Sequence, residues 1–163
     1  SEKVAGMEAG DRFPAFTLAD ENGEMFDSRM LEGLRYIIYF YPKDSTPGCT
    51  TEAVEFTANV PKLMMRNIPV IGVSKDSSAS HRRFMDNNML KVKLLSDPEH
   101  ELMEKVGAWG PKKAYGKETV GTIRTTFLVG KDGKIEQVWN NVKVAGHAEK
   151  VTDFALSRAK RSE

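Results

Sequence analysis

The run Arg35-Tyr36-Ile37-Ile38-Tyr39-Phe40-Tyr41 limits what this chain can fold into more than any other segment. After Arg35 every residue is aromatic or β-branched, so the strand it predicts has no polar face and is stable only where other elements cover both sides. Pro69-Val70-Ile71-Gly72-Val73-Ser74 reads as a second buried strand. Between the two, Thr46 and Pro47 form a helix start. A hydroxyl at the N-cap can accept an orphan amide, and proline at the first helical position has no amide to leave unpaired. This helix is expected to run to about Asn59, with Pro61 breaking it or beginning a second piece that reaches Arg66.

The remaining segments fill in the architecture. Phe13 to Ala19 alternates apolar and polar residues and meets the turn Glu21-Asn22-Gly23-Glu24, which predicts a hairpin running on to Phe26. Ser78 or Ser80 caps a helix containing Phe84 and Met85. Lys91 to Leu95 is a short strand, and Asp97-Pro98 starts a helix carrying Leu102, Met103 and Val106. Gly107 to Gly121, with four glycines and Pro111, reads as a long loop. Thr125 to Val129 and Lys134 to Trp139 flank the hairpin chemistry of Lys131-Asp132-Gly133, and Ala148 to Lys160 closes the chain as an amphipathic helix with Val151, Phe154 and Ala155 inward. The predicted fold class is α/β, a thioredoxin-like fold: a mixed central β-sheet flanked by helices, with an N-terminal β-hairpin and a βαβ unit joined to ββα. At 163 residues and 40% hydrophobic content, one domain spanning residues 1–163 is expected.

Basic and acidic residues nearly cancel, 24 against 23 for a net charge of +1, so there is no large field to attract nucleic acid or an anionic membrane. The basic end formed by Arg158, Lys160 and Arg161 reads as solvated. No apolar run approaches the roughly 20 residues that cross a bilayer, and Ser1-Glu2-Lys3-Val4 lacks the apolar core of a secretory signal. A cytoplasmic protein with neither nucleic-acid nor membrane partner is expected. Cys49 is the only cysteine, and His81, His100 and His147 lie far apart, so the sequence predicts no intramolecular disulfide, no CxxC dithiol and no structural zinc.

Cys49 falls at the third position of the predicted helix, directly after the turn Tyr41-Pro42-Lys43-Asp44-Ser45-Thr46-Pro47-Gly48. A sulfur there faces unpaired amides and the positive end of the helix dipole, and both favour the thiolate. The bland alternative for a lone cysteine is a small buried hydrophobe. An ordinary thiol, with a pKa of about 8.5, is about one-tenth ionised at about pH 7.5, so full ionisation raises the reactive fraction only about tenfold, roughly 1.4 kcal/mol. Substrate positioning has to supply the rest. Because Pro47 has no N–H, the amides of Gly48 and Cys49 are the ones free to meet a bound oxygen, with the Thr46 hydroxyl beside them.

The spacing Pro42-x-x-x-Thr46-x-x-Cys49 resembles the PxxxTxxC peroxidatic signature of the peroxiredoxins, and YFYPKDSTPGCTTEA is similar to the bacterioferritin comigratory protein, or peroxiredoxin Q, branch. The resemblance extends through FPAFTLADENG, VIGVSKDS, WGPKKAYGKETVGTIRTTFLV and the Gly146-His147 pair before the last helix. It implies a thiol-dependent peroxidase that reduces hydrogen peroxide and organic hydroperoxides through a cysteine sulfenic acid, without metal, haem or flavin. Carried over by motif, Cys49 is the nucleophile, Thr46 hydrogen-bonds the peroxide and Pro42 shields the sulfur from water. Arg124, in GTIRTTF, orients the peroxide and stabilises the thiolate. A guanidinium suits both tasks because its donors are fixed in a plane and it stays charged when partly buried.

One form of the branch carries a resolving cysteine five residues after the first. Position 54 is Val54, natively or by replacement of a cysteine, so the resemblance implies a one-cysteine cycle in which an external thiol or thioredoxin-like reductant restores Cys49. The rival reading is a redox sensor or holdase that forms a mixed disulfide with a partner protein. A monomer or weak homodimer is expected. Trp109, Pro111 and Tyr115 either line the approach to the sulfur or belong to a surface loop anchored by one aromatic. His147 reads as a helix-start residue without a catalytic part, and Glu52 either as a complement to the helix dipole or as a residue with a role in the site.

Overall fold

A computed structural model of the chain describes residues 6–114 and 116–161. In chain order the elements are β1 (Thr17–Asp20), β2 (Met25–Asp27), a 3-10 turn (Ser28–Leu31), β3 (Tyr36–Phe40), α1 (Pro47–Met64), β4 (Val70–Ser74) and α2 (Ser78–Asn88). They continue with β5 (Lys93–Ser96), α3 (Glu101–Val106), β6 (Trp109–Ala114), β7 (Lys117–Thr122), β8 (Thr125–Val129), β9 (Ile135–Asn140) and α4 (His147–Arg161). Seven strands form one mixed sheet in the order β2-β1-β5-β4-β3-β8-β9. The pairs β3–β4 and β4–β5 are parallel, and the others are antiparallel.

The apolar run takes the interior place its composition requires. β3 lies between β4 and β8 with all of its residues buried. Because side chains alternate across a strand, Ile38 and Phe40 enter one core layer with Phe13, Leu102 and Phe127, while Ile37, Tyr39 and the following Tyr41 enter the other. That second layer receives Cys49, Ala53 and Phe56 from α1 and Ala148, Val151 and Ala155 from α4. Arg35, just ahead of β3, is held bidentately by Glu136 of β9 (3.0 and 2.9 Å) and donates to the Ala155 carbonyl (2.9 Å), which ties α4 to the sheet.

Three expectations change. Gly107 to Gly121 is not a long loop: β6 and β7 pair as an antiparallel hairpin from Trp109 opposite Thr122 to Ala114 opposite Lys117. Pro61 does not break α1, which continues to Met64 and carries the Met65 amide onto the Pro61 carbonyl (3.2 Å). A proline inside a helix costs about 3 kcal/mol, but the last turn seats Leu63, fully buried, on the same face as Ala53 and Phe56. The cap of α2 is Ser77, whose hydroxyl accepts from the Ser80 amide (3.2 Å), because that helix already starts at Ser78, the first predicted cap. Among the described residues no helix is long and apolar enough to cross a membrane. Ser1 to Val4, Tyr115 and the side chains of Arg158, Lys160 and Arg161 lie outside the described set.

Candidate active site

β3 delivers the chain to the cysteine turn. Ser45 takes a positive φ of 62°, and Thr46 returns to an extended conformation before the helix begins. The Thr50 amide donates to the Thr46 carbonyl (2.9 Å), so Thr46 is the N-cap by its backbone and the amides of Gly48 and Cys49 precede the first intrahelical bond. The Thr46 side chain does not cap, contrary to expectation. The turn brings the Lys43 carbonyl within its reach, and the hydroxyl donates there instead (2.8 Å).

Arg124 sits just ahead of β8, its carbonyl fixed by the Val142 amide (3.0 Å). Its guanidinium divides between two groups on one face of α1. Nη2 donates to Cys49 Sγ at 3.0 Å and Nη1 to Glu52 Oε1 at 2.8 Å. Cys49 and Glu52, three residues apart on the helix, are each only 1% exposed. Gly48 is small because the guanidinium passes over it: a Cβ there would lie 3.1 Å from Arg124 Nη2.

Burial pushes the Glu52 carboxyl up to about 7 even though Arg124 pulls it down. Its Oε2 is buried without a partner among the described residues, as is the Tyr39 hydroxyl. Burial first, then the nearby Glu52 and Cys49, drives the Tyr39 phenol well above its ordinary range. His147 starts α4, as the sequence predicts, and packs behind the site. Its Nε2 meets the Thr126 hydroxyl at 2.8 Å, and burial first, then Lys150 and Arg124, lowers the ring to about 4.

A cleft of about 450 Å³ opens beside the guanidinium, bordered by Pro42, Ile123, Arg124 and Val142 and by Pro111 and Lys112 of the hairpin. Of the three residues weighed as lining the approach, Pro111 therefore reaches the cleft. Trp109 instead stacks on the His100 ring, with centroids 3.9 Å apart and planes 3° apart, while Tyr115 lies outside the described residues. Pro42, Thr46, Gly48, Cys49 and Arg124, named from scattered sequence positions, thus meet around one helix start. Among the described residues no group of three or more His, Cys, Asp or Glu is placed to hold a metal ion.

The AhpC/TSA family model matches residues 9–138. A putative peroxiredoxin of Mycobacterium tuberculosis H37Rv is 42% identical over 149 residues, covering 91% of this chain and 95% of that protein. Peroxiredoxin Bcp of Escherichia coli K12 is 37% identical over 153 residues, covering 94% and 98%. This chain belongs to the peroxiredoxins. Among solved structures, the bacterioferritin comigratory protein of Xanthomonas campestris, described through its alkyl peroxide reduction activity, superposes with a TM-score of 0.85 at 35% identity, covering 96% of this chain and 99% of that one. The α/β sheet described above is therefore the thioredoxin-like fold of the peroxiredoxin Q branch.

Beyond the residues its signature names, this peroxiredoxin holds three more polar residues at or behind the site. Of the two readings of Glu52, the structure favours a place in the site, since it is buried and paired with Arg124. The signal was available in the Cys49-x-x-Glu52 spacing, which puts both groups on the buried face of one helix. Asp44 and His81 form a second buried pair behind the turn (2.7 Å), and no local signal marks it, since an aspartate is an ordinary turn residue.

Proposed function

We propose that Cys49 is the nucleophile of a thiol-dependent peroxidase acting on hydrogen peroxide and organic hydroperoxides. The observation that carries this reading is Arg124 Nη2 at 3.0 Å from Cys49 Sγ, at the amino end of a helix. A cationic donor and the helix terminus both direct positive charge at the reacting sulfur and at an oxygen bound beside it. The Thr46 hydroxyl has its proton engaged by the Lys43 carbonyl, so its oxygen is left to accept from the peroxide O–H. The free amides of Gly48 and Cys49 and the Arg124 guanidinium then face the peroxide oxygens, and Pro42 keeps water from the reacting sulfur.

In this reaction the thiolate attacks one peroxide oxygen. An S–O bond forms, the O–O bond breaks, and the departing oxygen takes the peroxide proton to leave as water or an alcohol. Negative charge grows on that oxygen, where the cationic donor contributes most. Cys49 is left as a sulfenate, which takes a proton from solvent to become the sulfenic acid. With Val54 exposed at the position five residues on and no second cysteine in the chain, an external dithiol or thioredoxin-like protein reduces it. The rival role as a redox sensor or holdase is not favoured, since the relatives matching nearly the whole chain are named peroxiredoxins. We also read the protein as cytoplasmic, as a monomer or weak homodimer, and as lacking nucleic-acid and membrane partners; the net charge of +1 supports the last of these.

The test is Cys49→Ser. Peroxide turnover with dithiothreitol is expected to vanish while far-UV circular dichroism stays native. A folded serine variant with full activity would overturn the assignment.

A further inference from the structure

Behind the cysteine turn lies a buried polar network that the proposed chemistry does not use. The Asp44 side chain, 2% exposed, accepts from the Tyr41 hydroxyl at Oδ1 (2.6 Å) and from the Ser80 hydroxyl at Oδ2 (2.8 Å), and Oδ2 also meets His81 Nδ1 at 2.7 Å. His81 is fully buried, with Nε2 against the Leu95 carbonyl at 2.9 Å. A carbonyl can only accept, so Nε2 donates there and the ring is fixed between β5 and the turn. The Asp44 amide donates to Asp76 Oδ2 (2.9 Å), an oxygen that also accepts from the Ser74 hydroxyl (2.6 Å). One residue of the turn is thereby anchored to the end of β3, the segment after β4 and the first turn of α2.

The next residue explains why such an anchor is needed. Ser45 holds a φ of 62°, a left-handed conformation that a side chain with a Cβ enters only at an energetic cost. The turn carrying Thr46, Gly48 and Cys49 is therefore under strain, and strain persists only where the surroundings hold it. Cys49 itself is 1% exposed. A peroxide brings two oxygens to that sulfur, whereas a reductant has to bring its own sulfur to a disulfide bond length of about 2.05 Å with a chain behind it. In that step the reductant thiolate attacks the sulfenic sulfur, an S–S bond forms, the S–O bond breaks and the hydroxide leaves as water with a proton taken from solvent. A second reductant thiol then releases Cys49 and leaves the reductant as its disulfide. The closed turn serves the first half of the cycle and obstructs the second.

We infer that Asp44, gripped by Ser80 and His81 of α2, is a positioning residue that latches the cysteine turn shut and so sets the balance between peroxide attack and reductant access. This rests on the peroxidase reading, and its test separates the two. Three rates are compared in wild type, Asp44→Asn and the milder Ser80→Ala. They are oxidation by hydrogen peroxide in a single turnover, recovery of the thiol with thioredoxin, and alkylation of reduced Cys49 by a maleimide carried on a polyethylene glycol chain. The latch predicts that Asp44→Asn slows oxidation about tenfold and speeds both alkylation and recovery about tenfold, as expected for loss of a charge-assisted contact, with smaller shifts of the same signs in Ser80→Ala. Val129→Ala, which loosens the opposite core layer, is the stability control and leaves the alkylation rate unchanged. Alkylation and recovery that stay level or fall in Ser80→Ala, or that rise equally in Val129→Ala, overturn the latch. Alkylation needs no peroxide, so a wild-type chain inert to peroxide would sink the peroxidase reading and leave the latch measurable.

Discussion

Arg124 offers one charge to two acids, and the geometry decides how it is shared. A guanidinium presents parallel donors to Cys49 and Glu52 at 3.0 and 2.8 Å, whereas an ammonium is a single point that serves one of them at a time. Arg124→Lys is therefore expected to slow the second-order reaction with hydrogen peroxide about 100-fold, equivalent to roughly 2.7 kcal/mol. Stopped-flow measurement showing an unchanged rate would contradict the arrangement. Glu52 gives a pH signature. Its folded pKa of about 7 lies above the ordinary 4.5, so its contribution to stability is full below about 4.5 and is lost as the pH rises through about 7. Glu52→Gln removes that loss and keeps an acceptor for Arg124. The urea stability of the variant relative to wild type is expected to improve from pH 5 to pH 8, by at most on the order of 3 kcal/mol. A difference that does not change with pH would show Glu52 already ionised throughout. Cys49, Thr46, Pro42 and Arg124 were legible because their spacing is a signature. Glu52 was legible only in part: its spacing from Cys49 puts it on the same helix face, but the local pattern does not reveal that a partner arrives from 72 residues away.

At the scale of elements, the sequence was most legible where burial is two-sided and least where it is absent. The runs that became β3 and β4 could hardly be anything but interior strands. The β6–β7 hairpin escaped notice because β7 shows no alternation: Lys117 to Val120 are all exposed, and glycines with Pro111 imitate a loop. Its contribution is positional, since it brings Pro111 and Lys112 to the cleft beside Arg124. Pro61 misled in the opposite direction. A local rule against proline gave way to the tertiary demand that Leu63 be buried, and the cost of that conflict is measurable. Pro61→Ala restores an amide donor within α1 and loses some unfolded-state rigidity, for a net gain of about 1–2 kcal/mol. A rise in thermal midpoint of a few degrees is the expected calorimetric result, and a fall would show that the proline relieves rather than imposes strain.

At the scale of the molecule, a sheet covered on both faces holds the reactive turn from behind, and α4 closes the layer beneath it. His147 stands at that junction, packed edge-on against Phe56 and Trp139. Its folded pKa of about 4 lies below the ordinary 6.5, so its contribution is complete above about pH 6.5 and is lost as the pH falls towards 4. His147→Gln is expected to flatten the acid limb of the stability profile, removing up to about 3 kcal/mol of pH dependence between those limits. An acid limb of unchanged steepness would mean that the ring already carries its proton in the fold. The general plan was legible as βαβ joined to ββα because apolar runs and turn chemistry are local, while the pairing of Arg124 with α1 and of Asp44 with α2 exists only once the sheet has formed. The account as a whole depends on Cys49 being the atom that takes oxygen from a peroxide, and mass spectrometry of the chain after one equivalent of hydrogen peroxide tests this most directly. The predicted result is one added oxygen on Cys49, no disulfide within the chain, and return to the starting mass on adding thioredoxin or dithiothreitol. A chain that consumes the peroxide while Cys49 gains no oxygen would contradict it.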